Sequence, residues 1–391
     1  MERKHAILTA SGASRWLACT PSARLEEQFP DKEGVAAKEG TLAHSLGELM
    51  ISHKLKTVSK ERYKWGIKVI TEDPLYDNAM QEHCENYAAF VLERFSEAQS
   101  HTSDAKIFLE TKLDLTDYIP EGFGTADVTI IADGVLDIID LKYGKGVPVS
   151  AEQNKQMMLY SLGALSAYDF LYDINTVRVT IYQPRLDSIS TWEIPVQELH
   201  NWAETELKAK AKEAFEGNGE YRPGEHCRFC KAKAVCRANA EMNLEVAQYD
   251  FAVPAILNDQ EISDILDRAE LFVNWITSVK DHALDQAVNH GKKWPNYKLV
   301  EGKSNRKYSD EEKVADTLLK AGFAEEIIYT KSVNGITAME KAIGKAAFAE
   351  HLNPLVIKPQ GKPTLVHQSD KRPEMNALES AQADFAEQLQ D

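Results

Sequence analysis

The amino-acid sequence predicts an α/β fold, with helices flanking a central sheet and a smaller C-terminal α/β domain after it. Three observations carry this. Residues 74–99 place Met80, Tyr87, Phe90, Val91 and Phe95 at near-helical spacing. Residues 123–131 and 135–143 read as two strands around Ala132-Asp133-Gly134, and Asp-Gly is a strong hairpin signal. A helix over 151–168 then separates this hairpin from two further strands at 176–183 and 190–194.

The other elements follow in order. Residues 7–28 read as a short loop and a helix, with Ser11 or Ser14 as N-cap. Residues 36–54 predict a helix with His44 and Glu48 on one face, four apart. Residues 54–68 are basic and aromatic, and 106–113 is the first strand. A helix over 196–216 leads into a cysteine-rich stretch. After about residue 245 the pattern changes. Residues 259–290 predict one long helix with Ile262, Ile265, Leu266, Ala269, Phe272, Val273 and Ile276 on its apolar face. The expected organisation is a catalytic domain over 1–244, an accessory domain over 245–370 and a frayed tail over 371–391.

Composition narrows the function classes. The 391 residues are 43% hydrophobic and 27% charged, as in globular proteins. No apolar run is long enough to span a bilayer, and the N-terminal residues lack the apolar core of a signal peptide. A cytoplasmic protein is expected. The net charge of −16 argues against a surface coated with cations for indiscriminate nucleic-acid binding, though not against a local basic groove. No G-x-x-x-x-G-K-[ST] loop is present, so no ATP motor is visible.

The hairpin carries the chemistry. Asp140 and Lys142 lie two apart and share a face of their strand. With Asp133-Gly134 as a two-residue turn, Ala132 faces Val135, Ile131 faces Leu136, and Asp127 faces Asp140. Like charges opposed across a ladder are destabilising unless a cation joins them, and a hard divalent ion suits paired carboxylates. An ammonium at Lys142, beside a metal-bound water, points to phosphodiester hydrolysis. D-x-K alone is common on surface hairpins, so the wider set decides.

That set is ordered: Gly40-Thr41-x-x-His44, Gly124-x-x-Asp127, Asp140-x-Lys142 and Gln156-x-x-x-Tyr160. It resembles the RecB-type nucleases of the PD-(D/E)XK superfamily over roughly residues 10–240, with Thr-Ala-Asp in place of Pro-Asp. The resemblance implies a restriction-endonuclease-like core with a mixed central sheet, and Mg or Mn as the metal. It implies His44, Asp127, Asp140 and the Leu141 carbonyl as ligands. Lys142 would be the catalyst, with Gln156 and Tyr160 in supporting roles. Glu110, on the preceding strand, is expected in a second ring around the metal.

Five cysteines in a cytosolic chain are unlikely disulfides. Cys227-x2-Cys230-x5-Cys236 and the distant Cys19 suggest a metal site, whereas Cys84 reads as a buried helix residue. One early cysteine plus C-x2-C-x5-C resembles the iron–sulfur nucleases, among them the AddB subunit of bacterial recombination machinery and the CRISPR-associated adaptation nucleases. This implies a [4Fe–4S] cluster of structural role, with Zn the competing metal.

Two segments mix cations with aromatics, as strand-binding surfaces do. They are Lys54, Lys56, Lys60, Arg62, Lys64 and Lys68 with Tyr63 and Trp65, and Lys292, Lys293, Lys298, Lys303, Arg306 and Lys307 with Trp294, Tyr297 and Tyr308. Arg222, Arg228, Lys231, Lys233 and Arg237 surround the cysteines. Lys358-Pro-Gln-Gly-Lys-Pro-Thr-Leu-Val and Ser369-Asp-Lys-Arg-Pro resemble the C-terminal part of an uncharacterised phage and prophage nuclease family. The resemblances imply an exonuclease in a bacterial host cell that processes single- or double-stranded DNA ends for recombination. The implied protein partners are a phage recombinase, a single-strand-binding protein or further copies of the chain. The competing expectation is a catalytically silent DNA-binding or scaffold subunit that keeps the fold and the cluster.

Overall fold

The computed structural model describes residues 6–30, 34–244, 259–300, 311–320, 325–329, 333 and 335–356. Lys303, Arg306, Lys307, Tyr308, the 358–373 motifs and the 371–391 tail lie outside them. The chain divides into two compact units, 1–292 and 293–391.

The first unit begins with a 3-10 turn, Ala10–Gly12, and two short helices, α1 (Ala13–Ala18) and α2 (Ser22–Glu26). The cap of the turn is Thr9, whose hydroxyl accepts from the Gly12 N–H, not Ser11 or Ser14 as expected. Three longer helices follow: α3 (Val35–Lys54), α4 (Lys60–Thr71) and α5 (Asn78–His101). Ser59 caps α4 and Asp77 caps α5, each through a side-chain oxygen on a first-turn N–H. Sequence periodicity had left α4 unassigned.

The strands are β1 (Lys106–Asp114), β2 (Phe123–Ala132), β3 (Gly134–Leu141), β4 (Ile174–Gln183) and β5 (Ser188–Pro195). They form one sheet in sequence order, and every neighbouring pair is antiparallel except β3 with β4. Parallel neighbours need a crossover, supplied by α6 (Lys155–Tyr168), which Asn154 caps. The hairpin register is the expected one: Ala132 faces Val135 and Ile131 faces Leu136, with Gly134 at φ 85 in the turn.

A core lies on each face of the sheet. Leu136 and Ile138 pack on the face of α6, with Trp16 and Leu17 of α1. Val128, Ile130, Ile139 and Leu141 pack on the face of α3 and α5. Each fully buried aliphatic side chain is worth roughly 1.5–3 kcal/mol. A one-residue slip of β3 would turn Leu136, Ile138, Ile139 and Leu141 to the wrong face, and Asp137 and Asp140 with them, so the two cores fix the register as well as the turn does.

The alternation breaks at one level of the sheet. In β1, Ile107 and Leu109 belong to the α3–α5 side but Leu113 to the α6 side. In β2, Ala126 belongs to the α6 side but Val128 and Ile130 to the other. The slips fall at Glu110, which has φ 46, and at Asp127. The β1–β2 ladder correspondingly passes from Leu109↔Val128 to Thr111↔Ala126 without pairing the two acids.

After β5 the chain runs through α7 (Val196–Trp202), a π-turn (Ala203–Leu207) and α8 (Lys208–Glu216), which ends on Gly217 at φ 76. The cysteine loop then leads to α9 (Arg237–Leu244), and α10 (Asp259–His290) completes the unit. α10 lies beyond the expected boundary at 244/245 and packs on α9 and on the 225–229 turn, where Arg228 meets Glu270 at 3.2 Å. Its expected apolar face is not a core face. No residue of α10 is buried, Val273 is 60% exposed, and it is Leu271 and Trp275 that line a pocket beside Cys227.

The second unit contains α11 (Glu311–Lys320), α12 (Glu325–Ile328), α13 (Ile336–Ile343) and α14 (Lys345–Leu352). Its described residues include no strand, against the α/β expectation. The Ala, Glu, Lys and Leu content of these runs favours helix. No helix among the described residues is long and apolar enough to cross a membrane.

Candidate metal centre and cysteine pocket

α3 brings His44 to the level where β1 and β2 lose their alternation. Its Nδ1 lies 3.2 Å from Asp127 Oδ2 and 3.9 Å from Glu110 Oε1. Among the described residues, His44, Glu110 and Asp127 are the group whose ligand atoms all fall within 4.8 Å of one another. Glu110, expected in an outer ring, is therefore a member of the inner set. The left-handed backbone at Glu110 is uncommon for a non-glycine residue, and it is what swings this carboxylate round to His44.

Asp127 and Asp140 do not form the expected ladder pair. The β2–β3 ladder ends at Val128↔Ile139, and Asp127 Oδ2 instead accepts the Leu141 N–H at 2.8 Å. Leu141 thus enters the site through its amide. Asp140, 2% exposed, is ion-paired to Lys142, with Nζ at 2.8 Å from Oδ2 and 3.1 Å from Oδ1. Lys142 also donates to Gln156 Oε1 at 3.1 Å. Gln156 Nε2 donates to Asp140 Oδ1 at 3.2 Å and to the Tyr160 hydroxyl at 3.1 Å. All four expected members of this network meet. Gly124 makes room for it: a Cβ there would lie 2.7 Å from Tyr160 Cε1.

The electrostatics follow from crowded acids in a sheltered place. Burial works to lower the His44 pKa, but hydrogen bonds to Asp127 and Glu110 prevail and raise it to about 10. Burial and the neighbouring Asp140 raise Asp127, opposed by His44 and the Leu141 amide. Burial also works against the charge on Lys142, yet Asp140 and Asp127 hold its pKa above the ordinary value. The positive charge of the imidazolium offsets the crowded carboxylates.

Tyr87 of α5 went unnoticed as a site residue, because its spacing marks it only as part of an apolar face. It is 2% exposed and its hydroxyl has no hydrogen-bond partner. Burial first, then the charges of Asp127, Asp140 and Glu110, push the phenol well above its usual pKa. Gly47, one turn after His44, lets the ring in: a Cβ there would lie 3.1 Å from Tyr87 Cδ1. A buried hydroxyl without a partner is costly, and a water or ion held by the acids would satisfy it.

Cys19, Cys227, Cys230 and Cys236 all line one pocket, with Arg15, Arg222, His226 and Lys233. Burial raises the thiol pKa of Cys19, Cys227 and Cys230, the last to about 12. Protein contacts already join the distant ends. Glu26 bridges Arg15 (2.8 Å) and the Lys231 N–H (2.7 Å), and Thr20 donates to Asn218 O at 2.9 Å. Several of the nearby cations are engaged: Arg228 pairs with Glu270, and Lys233 donates to Arg228 O. Cys84 sits apart as expected, fully buried in α5 with its Sγ on Ala43 O.

Fold and site together define an α/β protein with a histidine–carboxylate centre at a break in its mixed sheet. The chain belongs to the family described as Protein of unknown function (DUF2800), whose profile matches residues 5–373. It is also similar to a solved structure entitled "Crystal structure of SSO0001", at 14% identity over 58% of this chain and 96% of that one. The TM-score is 0.21, a superposition too loose to assign the architecture.

Proposed function

We propose that this chain is a divalent-metal-dependent deoxyribonuclease of the PD-(D/E)XK kind, hydrolysing phosphodiester bonds at DNA ends during phage or prophage recombination. The observation that carries the reading is the convergence of His44, Glu110, Asp127 and Asp140 with Lys142 and Gln156 at one level of the sheet. The donor set fits a hard ion: carboxylates with one imidazole, and the orphan Tyr87 hydroxyl nearby. Mg or Mn held there would supply Lewis acidity toward a phosphate and an activated water. Lys142, kept charged by its acidic neighbours, is a charged donor and not a base. Gln156 fixes both Lys142 and Asp140, and Tyr160 fixes Gln156.

The test is cleavage of end-labelled linear and of circular DNA with Mg or Mn. Lys142→Ala should lower cleavage by roughly 10²–10⁴ and leave Mn and DNA binding largely intact. Asp140→Ala should abolish cleavage and weaken Mn binding measured by calorimetry. Wild-type rates from Lys142→Ala would reject this active site. A wild type that binds DNA yet cuts no form of it would be the silent scaffold instead.

For the cysteine pocket we propose a [4Fe–4S] cluster on Cys19, Cys227, Cys230 and Cys236. Zn–S bonds of about 2.3 Å in a tetrahedron need sulfurs roughly 3.8 Å apart. The four thiols line one pocket without such close spacing among the described residues, and the choice of iron–sulfur rests on the resemblance of Cys19 and Cys227-x2-Cys230-x5-Cys236 to the iron–sulfur nucleases. Protein purified without oxygen should be brown and contain iron and sulfide. One zinc and no iron would overturn this assignment, and neither metal would remove the site.

A further inference from the structure

We propose that the exposed side of α4 docks single-stranded nucleic acid, with phosphates on Lys60, Lys64 and Lys68 and an unpaired base stacked on Trp65. The proposal takes its biological sense from the nuclease reading, but its test does not depend on catalysis.

Charge is the first argument. Residues 54–68 carry six lysines and arginines against the single Glu61, in a chain of net charge −16. Acids outnumber bases over the rest of the chain taken together, so this segment is among those where a polyanion meets least repulsion. The cations are on the surface: Lys54, Lys56, Lys60, Arg62, Lys64 and Lys68 are all exposed. Lys68 meets Glu72 at 3.8 Å, an exposed pair of the weak kind.

Geometry is the second. Lys60, Lys64 and Lys68 stand four residues apart and form one stripe, rising about 6 Å from each to the next. Trp65 and Val69 form the adjoining stripe, 68% and 48% exposed. Neither is needed for packing, because Ile67 and Ile70 are the residues that face the α3–α5 core. An indole left in water beside a row of ammonium groups is the pairing that strand-binding surfaces use: cations follow the backbone and a ring takes a base. A duplex keeps its base faces stacked inside and has none to offer Trp65.

Position is the third. Gly66 seats α4 directly on Leu49 of α3, since a Cβ there would lie 2.7 Å from Leu49 Cδ2. The same helix α3 presents His44 to the acids. Glu48, one turn after His44, has its pKa raised by burial first and then by Glu110, with Arg62 of α4 acting the other way. Helix α3 thus carries both the seat of α4, at Leu49, and His44 of the candidate metal centre.

The experiment uses the full chain in EDTA, with a fluorescein-labelled oligo-dT and a duplex of the same length. The wild type should bind oligo-dT more tightly than the duplex and lose tryptophan fluorescence on doing so. Trp65→Ala should weaken oligo-dT binding about 10-fold with an unchanged salt slope, and Trp65→Phe should abolish the fluorescence change. Lys60→Ala/Lys64→Ala/Lys68→Ala should reduce the slope of log K against log salt by roughly 2, three phosphates at about 0.7 each. All of these residues are exposed, so matching far-UV circular dichroism is expected. Equal binding of duplex and single strand, no binding at all, or indifference to both sets of substitutions would overturn the proposal. Mn-dependent cleavage persisting in such a case would leave the nuclease reading standing. Binding that depends on α4 without cleavage by any metal would do the reverse.

Discussion

His44 is where pH acts on the centre. Its pKa, raised from 6.5 to about 10, means that the charged ring stabilises the ion-free fold. That contribution is complete below about pH 6.5 and is lost as pH rises through about 10. A divalent ion needs the neutral ring, so binding should release a proton and tighten with pH. Calorimetry of Mn binding at pH 7, in two buffers of different ionisation enthalpy, should give about one proton released per ion. No release would mean that His44 is not a ligand. Tyr87 gives a second prediction at this scale. Its hydroxyl has no partner in the ion-free protein, so Tyr87→Phe should raise stability by about 1 kcal/mol, read as a higher Tm. The same change should weaken Mn binding if the hydroxyl serves the bound ion or its water. Unchanged Mn affinity would confine Tyr87 to packing.

Elements were legible in the sequence to the extent that periodicity controls them. The helices at α3, α5, α6 and α10 and all five strands are where spacing and turn residues put them, and the Asp133-Gly134 turn gave the right register. Helix α4 was missed because its charged and aromatic residues mask a short apolar stripe of Ile67 and Ile70. The Asp140–Lys142–Gln156–Tyr160 network was readable, because strand and helix periods put those side chains on facing surfaces. The inner place of Glu110 was not. Counting by twos along β1 presumes an unbroken strand, and the left-handed residue that breaks it is glutamate, which carries no local signal for that conformation. The same break moved Asp127 off the ladder and onto the Leu141 amide.

At the scale of the molecule, the first unit is closed by contacts between its first thirty residues and the 215–236 region. Cys19 lies in that closure and Cys84 does not. Cys19→Ala should therefore destabilise the protein far more than Cys84→Ala, measured by thermal unfolding of protein purified without oxygen, because on the proposed assignment it removes one of four cluster ligands as well as a buried side chain. Equal losses would show that the set of four is misassigned. Helix α1 has a further consequence. At its C-terminal end it runs into Cys19 of the cysteine pocket; just before its N-terminal end, Ala10 and the Tyr160 ring both lie where a Cβ on Gly124 would meet them. Six residues of helix thus connect the neighbourhood of Tyr160 to that of the thiols. If the thiols hold the proposed cluster and Tyr160 supports the proposed catalytic network, removing the cluster should lower cleavage at temperatures where circular dichroism still reads the protein as folded.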